Sequence, residues 1–137
     1  MPENKKSYLL IVDDSMMNRE IFGEIFNEDF EILEAENGLE GLQIIEEKKD
    51  MLDAVLLDVV MPVMDGFQVL AQMHLKGITK KIPVFLITAD DTKEAAAKGF
   101  EYGVIDVIRR PFAMDAVHKK VLSIVRMFQK QKEHNAE

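Results

Sequence analysis

The sequence predicts an α/β domain built as a doubly wound parallel sheet with helices on both faces. Short apolar runs alternate with helical-period segments along the chain, in five β-α units. Four of the runs also end on residues suited to phosphoryl and metal chemistry. Tyr8–Val12 ends at Asp13-Asp14, 54–57 at Asp58, 84–87 at Thr88 and 104–108 at Arg109-Arg110-Pro111. Open parallel sheets place their ligand sites beyond the carboxyl ends of the strands. Neighbouring runs of this kind would gather three carboxylates, a hydroxyl and a guanidinium in one crevice.

Each element has a local reason. Residues 8–12 read as a strand buried on both faces. Asp14 or Ser15 caps the first helix, with Met17, Ile21, Ile25 and Phe26 at helical spacing as its inward face. Residues 30–35 alternate and read as a second strand nearer an edge. Asn37-Gly38 opens the second helix, which turns Leu39, Leu42 and Ile45 inward, with Ile44 as a further candidate. Residues 54–57 form the third strand, and the proline and glycine of Val59-Val60-Met61-Pro62-Val63-Met64-Asp65-Gly66 forbid its continuation. The third helix runs over 67–75 and stops at Gly77. Residues 83–87 form the fourth strand. Asp91 or Thr92 begins the fourth helix, which ends near Gly99 or Gly103, and 104–108 form the fifth strand. Phe112 or Ala113 opens a last helix with Val117, Val121, Ile124, Val125 and Phe128 on one face. Residues 6–127 make one domain. Residues 128–137 are a polar helix extension, a tail or the start of a linker.

Bulk properties narrow the function. A chain of 137 residues suits one domain with a sizeable core, and 47% hydrophobic with 31% charged residues suits a globular protein. The net charge of −8 argues against direct nucleic-acid binding and against an anionic membrane surface. The absence of cysteine excludes disulfides and thiolate chemistry, and it suits a reducing compartment. The chain shows neither a signal peptide nor an apolar stretch long enough to span a membrane.

Taken singly, the site residues have plainer readings. Asp14 serves as a helix cap, Asp58 as a turn residue and Thr88 as the end of a strand. Those readings do not predict all of them at one sheet edge. The pieces Ile11-Val12-Asp13-Asp14-Ser15, Leu56-Leu57-Asp58, 61–66, Ile87-Thr88-Ala89 and Arg110-Pro111-Phe112, in this order and spacing, resemble the receiver domain of bacterial two-component response regulators. The resemblance covers nearly the whole chain.

It implies a flavodoxin-like five-stranded sheet in the order 2-1-3-4-5. It implies Mg²⁺ as cofactor, held by Asp14 and Asp58 directly, by Asp13 through water and by the backbone carbonyl of Val60. A hard dication that keeps several waters also suits a carboxylate cluster on chemical grounds. Asp58 would be the phosphoacceptor, taking its phosphoryl group from the phosphohistidine of a sensor histidine kinase or phosphotransfer protein. Thr88, Arg110 and the Ala89 backbone N–H would bind the phosphoryl oxygens. Such a chain is a switch with self-directed phosphotransfer and autodephosphorylation rather than a turnover enzyme, and it works in the cytoplasm. The resemblance further implies a homodimer surface on the fourth helix, fifth strand and fifth helix. An output domain outside this chain is also compatible with it. The small residues Ala95, Ala96 and Ala97 on the fourth helix fit either close approach of a partner or packing on the sheet.

Two positions depart from the family pattern. Arg110 stands where a lysine is usual, which keeps the charge but changes its shape and reach. Val107 stands where an aromatic switch residue is usual, and a β-branched side chain offers no large rotamer change. Switching would then fall to Thr88 and the segment after it. Arg110-Pro111 is a candidate cis peptide, and Arg109 alternates to the opposite face of its strand from its neighbour. His74 and His118 lie on helices without metal-spaced companions. Two other readings compete. One is a pseudo-receiver interaction domain, not regulated by phosphorylation, with Arg110 as a fixed internal counter-ion. The other is a Mg²⁺-dependent phosphatase, disfavoured because the chain lacks a cap segment.

Overall fold

In the computed structural model, residues 7–89 and 93–135 are described. Five parallel strands lie in the order β2-β1-β3-β4-β5, as the resemblance implies. They are β1 (Tyr8–Val12), β2 (Glu31–Ala35), β3 (Leu52–Asp58), β4 (Val84–Thr88) and β5 (Asp106–Arg109). The helices are α1 (Met16–Phe26), α2 (Gly38–Lys48), α3 (Gly66–Leu75), α4 (Lys93–Glu101) and α5 (Met114–Asn135). The expected start of α4 at Asp91 or Thr92 lies outside the described residues.

β1, β3 and β4 are nearly continuous apolar runs because both faces of the sheet are covered. Leu10, Val12, Val55, Leu57, Val84 and Leu86 face the layer of α2, α3 and α4. Leu9, Ile11, Ala54, Leu56, Phe85 and Ile87 alternate to the layer of α1 and α5. Each of the first three helices starts from a side-chain cap that accepts a backbone N–H: Ser15 from Asn18, Asn37 from Glu40 and Asp65 from Gln68. The Asp65 cap is a reciprocal capping box with Gln68. Such caps contribute about 1 kcal/mol each. They also fix where each helix leaves the carboxyl edge of the sheet.

The structure departs from the sequence reading in four places. The inward stripe of α1 is Arg19, Phe22 and Phe26, while Met17 is 70% exposed. The helix is turned this way because Phe22 stacks on Phe112 with ring centroids 5.1 Å apart. Leu39, expected inside, is 44% exposed at the start of α2, and Leu42 and Ile45 form that helix's buried face. The strand expected over 104–108 starts later, at Asp106. Gly103 turns the chain at φ 93°, and the Asp106 carboxylate accepts the Val107 N–H at 2.7 Å. A 3-10 turn at Ile78–Lys80, entered from Gly77 in the left-handed region, was not anticipated. The polar segment after residue 127 continues α5 as helix to Asn135. Among the described residues, no helix is long and apolar enough to cross a membrane.

Candidate functional site

The strand order determines what meets at the carboxyl edge. β1 lies beside β3, so the residues after Val12 meet the end of β3, where Asp58 pairs with Ile87 of β4. Asp13, Asp14 and Asp58 each offer a carboxylate oxygen, and these oxygens all lie within 4.8 Å of one another. Asp13 and Asp58 are buried and Asp14 is exposed.

Asp13 is held firmly. Its N–H donates to the Ala35 carbonyl at 3.1 Å, and its Oδ1 accepts the Ser15 N–H at 2.9 Å. Arg110 enters from the end of β5, where the Arg110-Pro111 bond is cis. Its Nη2 donates to Asp13 Oδ2 at 3.1 Å, and its Nη1 lies 3.6 Å from Asp58 Oδ1. The Arg110 N–H also donates to the Thr88 carbonyl at 2.9 Å, which ties the two strand ends together. Arg109 is exposed on the other side of the strand.

Asp58 carries the electrostatic signature of the cluster. Its carboxyl is pushed up from 3.8 to about 6, first by burial and then by the neighbouring charge of Asp13. Asp14 raises it further, while Arg110 and the Val59 backbone N–H pull it down. One guanidinium does not satisfy three carboxylates. A set of hard, anionic oxygens with surplus negative charge fits a small dication such as Mg²⁺.

The remaining sequence candidates lie at the same edge. Thr88 is buried at the end of β4, and Ala89 follows it, exposed. Val60 is exposed in the loop between β3 and α3. That loop is tightly built. Gly66 N–H donates to the Val59 carbonyl at 2.8 Å, and a Cβ on Gly66 would sit 2.2 Å from the Asp58 carbonyl oxygen. Val63, in the same loop, holds φ at 71°, a conformation that β-branched residues rarely adopt. Val107 is buried against the α2–α4 layer, on the face of the sheet that strand alternation assigns to Thr88, and Tyr102 packs on the same cluster. His74 and His118 stay out of the site. His74 meets the Tyr102 ring edge-on, and His118 Nε2 lies 2.8 Å from Asp29 Oδ2.

The sequence reading missed Arg19. It is only 7% exposed, and its Nη1 donates to the Asp13 backbone carbonyl at 2.8 Å. The available signal was its place on the 19/22/26 stripe of α1, where a charged residue among phenylalanines calls for a buried partner.

Exposed apolar side chains rim the pocket: Met16 and Met17 on α1, Val60 and Val63 on the β3–α3 loop, and Met114 on α5. A groove of about 510 Å³ runs between α1 and the turn after β5. Ile21 and Phe22 line one side and Pro111, Phe112 and Met114 the other, with Arg110 beside them.

Comparison with known proteins agrees with this geometry. The sequence model of the response regulator receiver domain matches residues 9–122. The chemotaxis protein CheY of Listeria monocytogenes is 40% identical over 111 residues, covering 80% of this chain and 90% of that protein. A probable C4-dicarboxylate response regulator, DctR of Priestia megaterium, is 37% identical over 140 residues, covering 96% of this chain and 58% of that protein. The chain thus spans little more than half of that relative and half or less of several others. Among solved structures, the CheX-CheY-BeF3-Mg²⁺ complex from Borrelia burgdorferi matches with a TM-score of 0.77 at 29% identity, covering 85% of this chain and 87% of that one.

Proposed function

The chain belongs to the response regulator receiver domain family, and from that premise we propose that it accepts a phosphoryl group on Asp58 and thereby switches an output or interaction surface. The observation that carries this reading is the approach of Asp13, Asp14 and Asp58 within 4.8 Å beside the Arg110 guanidinium. Asp14 and Asp58 would hold Mg²⁺ directly, Asp13 through water, and the Val60 carbonyl would complete the protein ligands. When bound, the dication neutralises carboxylate charge and draws the phosphoryl oxygens into place.

The step is a phosphoryl transfer. An Asp58 carboxylate oxygen attacks phosphorus, and an O–P bond forms as the P–N bond to the donor imidazole breaks. The electron pair stays on the imidazole nitrogen, which takes a proton from solvent. Arg110, the Thr88 hydroxyl and the Ala89 N–H bind the three phosphoryl oxygens and favour the charge that spreads over them in transit. A charge-assisted hydrogen bond from Thr88 contributes about 1.5–3 kcal/mol in such a setting.

The donor is a sensor histidine kinase or a phosphotransfer protein. The exposed methionines and valines around the pocket, with the adjoining groove, suit an apolar helical surface that presents its histidine to Asp58. Phosphorylation would bias two populations of the α4–β5–α5 face. A second copy of this chain or a linked output domain would read the bias. The cysteine-free chain fits the reducing cytoplasm that this reading implies.

One observation favours a second reading. Arg110 already bridges Asp13 and Asp58, as it would in a constitutive interaction domain. Incubation with acetyl phosphate and Mg²⁺, followed by intact mass, separates the two. A Mg²⁺-dependent gain of one phosphoryl group that is absent from Asp58→Asn supports the phosphoacceptor. No gain in the wild type, with a gain restored by Arg110→Lys, supports the interaction domain.

A further inference from the structure

We propose that Arg19 is a positioning residue for the cation pocket, holding the Asp13–Asp14 peptide so that the buried Asp13 carboxylate and the exposed Asp14 carboxylate both stay within reach of Asp58. The inference rests on the reading that the acidic pocket binds Mg²⁺.

A buried guanidinium is costly unless every contact is well made. Arg19 lies one turn into α1, 7% exposed, with its N–H on the Ser15 carbonyl at 3.0 Å. Its Nη1 donates to the Asp13 backbone carbonyl at 2.8 Å. Its Nε donates to Glu34 Oε1 at 2.8 Å, and its Nη2 lies 3.7 Å from Glu36 Oε1. Its charge is therefore matched by β2 and the turn after it, and its contact with the pocket is to main chain. Arg110, by contrast, is aimed at the Asp13 and Asp58 carboxylates themselves.

The consequence is geometric. Asp13 is fixed through its N–H by Ala35, through its Oδ1 by Ser15, through its Oδ2 by Arg110 and through its carbonyl by Arg19. The last of these sets the peptide plane that leads into Asp14, whose exposed side chain gains its direction from that plane. A planar fork is needed to reach Glu34 and the Asp13 carbonyl together, and lysine cannot supply it.

The sign of the effect separates positioning from charge. A cation beside a dication site repels the metal, so as a mere charge Arg19 would weaken binding and its removal would tighten it. As a positioning residue its removal loosens binding. The test is Mn²⁺ binding followed by electron paramagnetic resonance, with Mg²⁺ as competitor, on the full chain. Wild type, Arg19→Lys, Arg19→Gln and Glu34→Gln are compared at a temperature where each is folded. Val125→Ala, a cavity in the α5 layer remote from the pocket, is the control for a comparable loss of melting temperature.

Loss of a contact that orients a metal ligand typically weakens affinity 10–100-fold. We expect about tenfold weakening in both Arg19 variants and a smaller weakening in Glu34→Gln, with Val125→Ala unchanged. Unchanged or tighter binding in the Arg19 variants overturns the inference, as does equal weakening in Val125→Ala. Should the Arg19 variants not fold, Glu34→Gln is read against Glu36→Gln, which removes the same charge from the looser 3.7 Å contact; unchanged affinity in Glu34→Gln, or equal weakening in the two, overturns the inference. Absence of binding in the wild type instead defeats the reading of the pocket itself.

Discussion

Asp58→Asn should stabilise the metal-free protein, and the gain should vanish in acid. The Asp58 carboxyl titrates at about 6 in the fold against 3.8 for an ordinary aspartate, mainly through burial and the charge of Asp13. Between those two values the folded chain holds a proton that the unfolded chain has released. Stability therefore falls as pH rises through that window. A displacement of roughly 2 pH units corresponds to about 3 kcal/mol at pH 7, about half of that at pH 5 and almost nothing near pH 3.5. Asparagine removes the charge while keeping the shape, so its advantage over the wild type should follow that curve. Urea unfolding at pH 7, 5 and 3.5 in the presence of EDTA measures it. Saturating Mg²⁺ should erase much of the difference by stabilising the wild type, by about 2.7 kcal/mol at a hundredfold excess over Kd. A gain that is flat with pH, or absent at pH 7, would refute the placement of surplus negative charge on Asp58.

Three further outcomes follow from the same geometry. Val63 is 76% exposed at φ 71°, so Val63→Asn should relieve strain without losing burial and raise unfolding stability in urea by about 1 kcal/mol. Gly66→Ala would place a Cβ 2.2 Å from the Asp58 carbonyl oxygen; it should cost about 3 kcal/mol in the same assay and lower Mg²⁺ affinity by displacing the β3–α3 loop. Arg110→Ala should tighten Mg²⁺ binding by up to about tenfold, since a cation paired with Asp13 and Asp58 is removed, while slowing phosphorylation by acetyl phosphate. Calorimetric titration with Mg²⁺ and time-resolved intact mass read the two effects separately.

The sheet was legible because β1, β3 and β4 are mostly apolar and every strand but β2 carries its site residue at or just after one end. Periodicity assigned the faces of the helices less well. The expected stripe of Met17, Ile21, Ile25 and Phe26 shares Phe26 with the observed one of Arg19, Phe22 and Phe26, and Ile25 packs partly on the same core, so the two differ in whether Met17 or Phe22 turns inward. What decides between them is Phe112, far along the chain, whose ring stacks on Phe22. The start of β5 was misplaced for a local reason, since Val104 and Ile105 are apolar but the turn at Gly103 delays the strand. Within the site, Asp13, Asp14, Asp58, Thr88 and Arg110 were named from their positions at the ends of runs, but their pairing was not readable. That Arg110 would reach both Asp13 and Asp58 depends on the path of the chain after β5. The stripe of α1 marks Arg19 as a buried charge but does not name its partners, because Glu34 and Glu36 sit on and after β2 and only the adjacency of β1 and β2 brings them to it.

The position of Arg110 bears on which proposed function is favoured. A counter-ion that completed the pocket would hold Asp58 below the ordinary carboxylate range, as close opposite charges do. Asp58 instead remains at about 6 although Arg110 pulls it down. The guanidinium makes its shorter contact with Asp13, at 3.1 Å, and stands 3.6 Å from Asp58. At neutral pH three carboxylates then face one positive charge, and the demand for further positive charge falls on the residue proposed to react. A constitutive interaction domain has no use for that imbalance and would gain stability by losing it. A phosphoacceptor needs it, because the same surplus that destabilises the metal-free pocket drives binding of the dication beside the nucleophile. On the proposed ligand set, a dication held by Asp14 and Asp58 would leave Arg110 its bond to Asp13 and would free its second arm for a phosphoryl oxygen. The lysine-to-arginine departure is thus compatible with phosphorylation, and the rates rather than the capacity are where its longer, planar side chain should be felt.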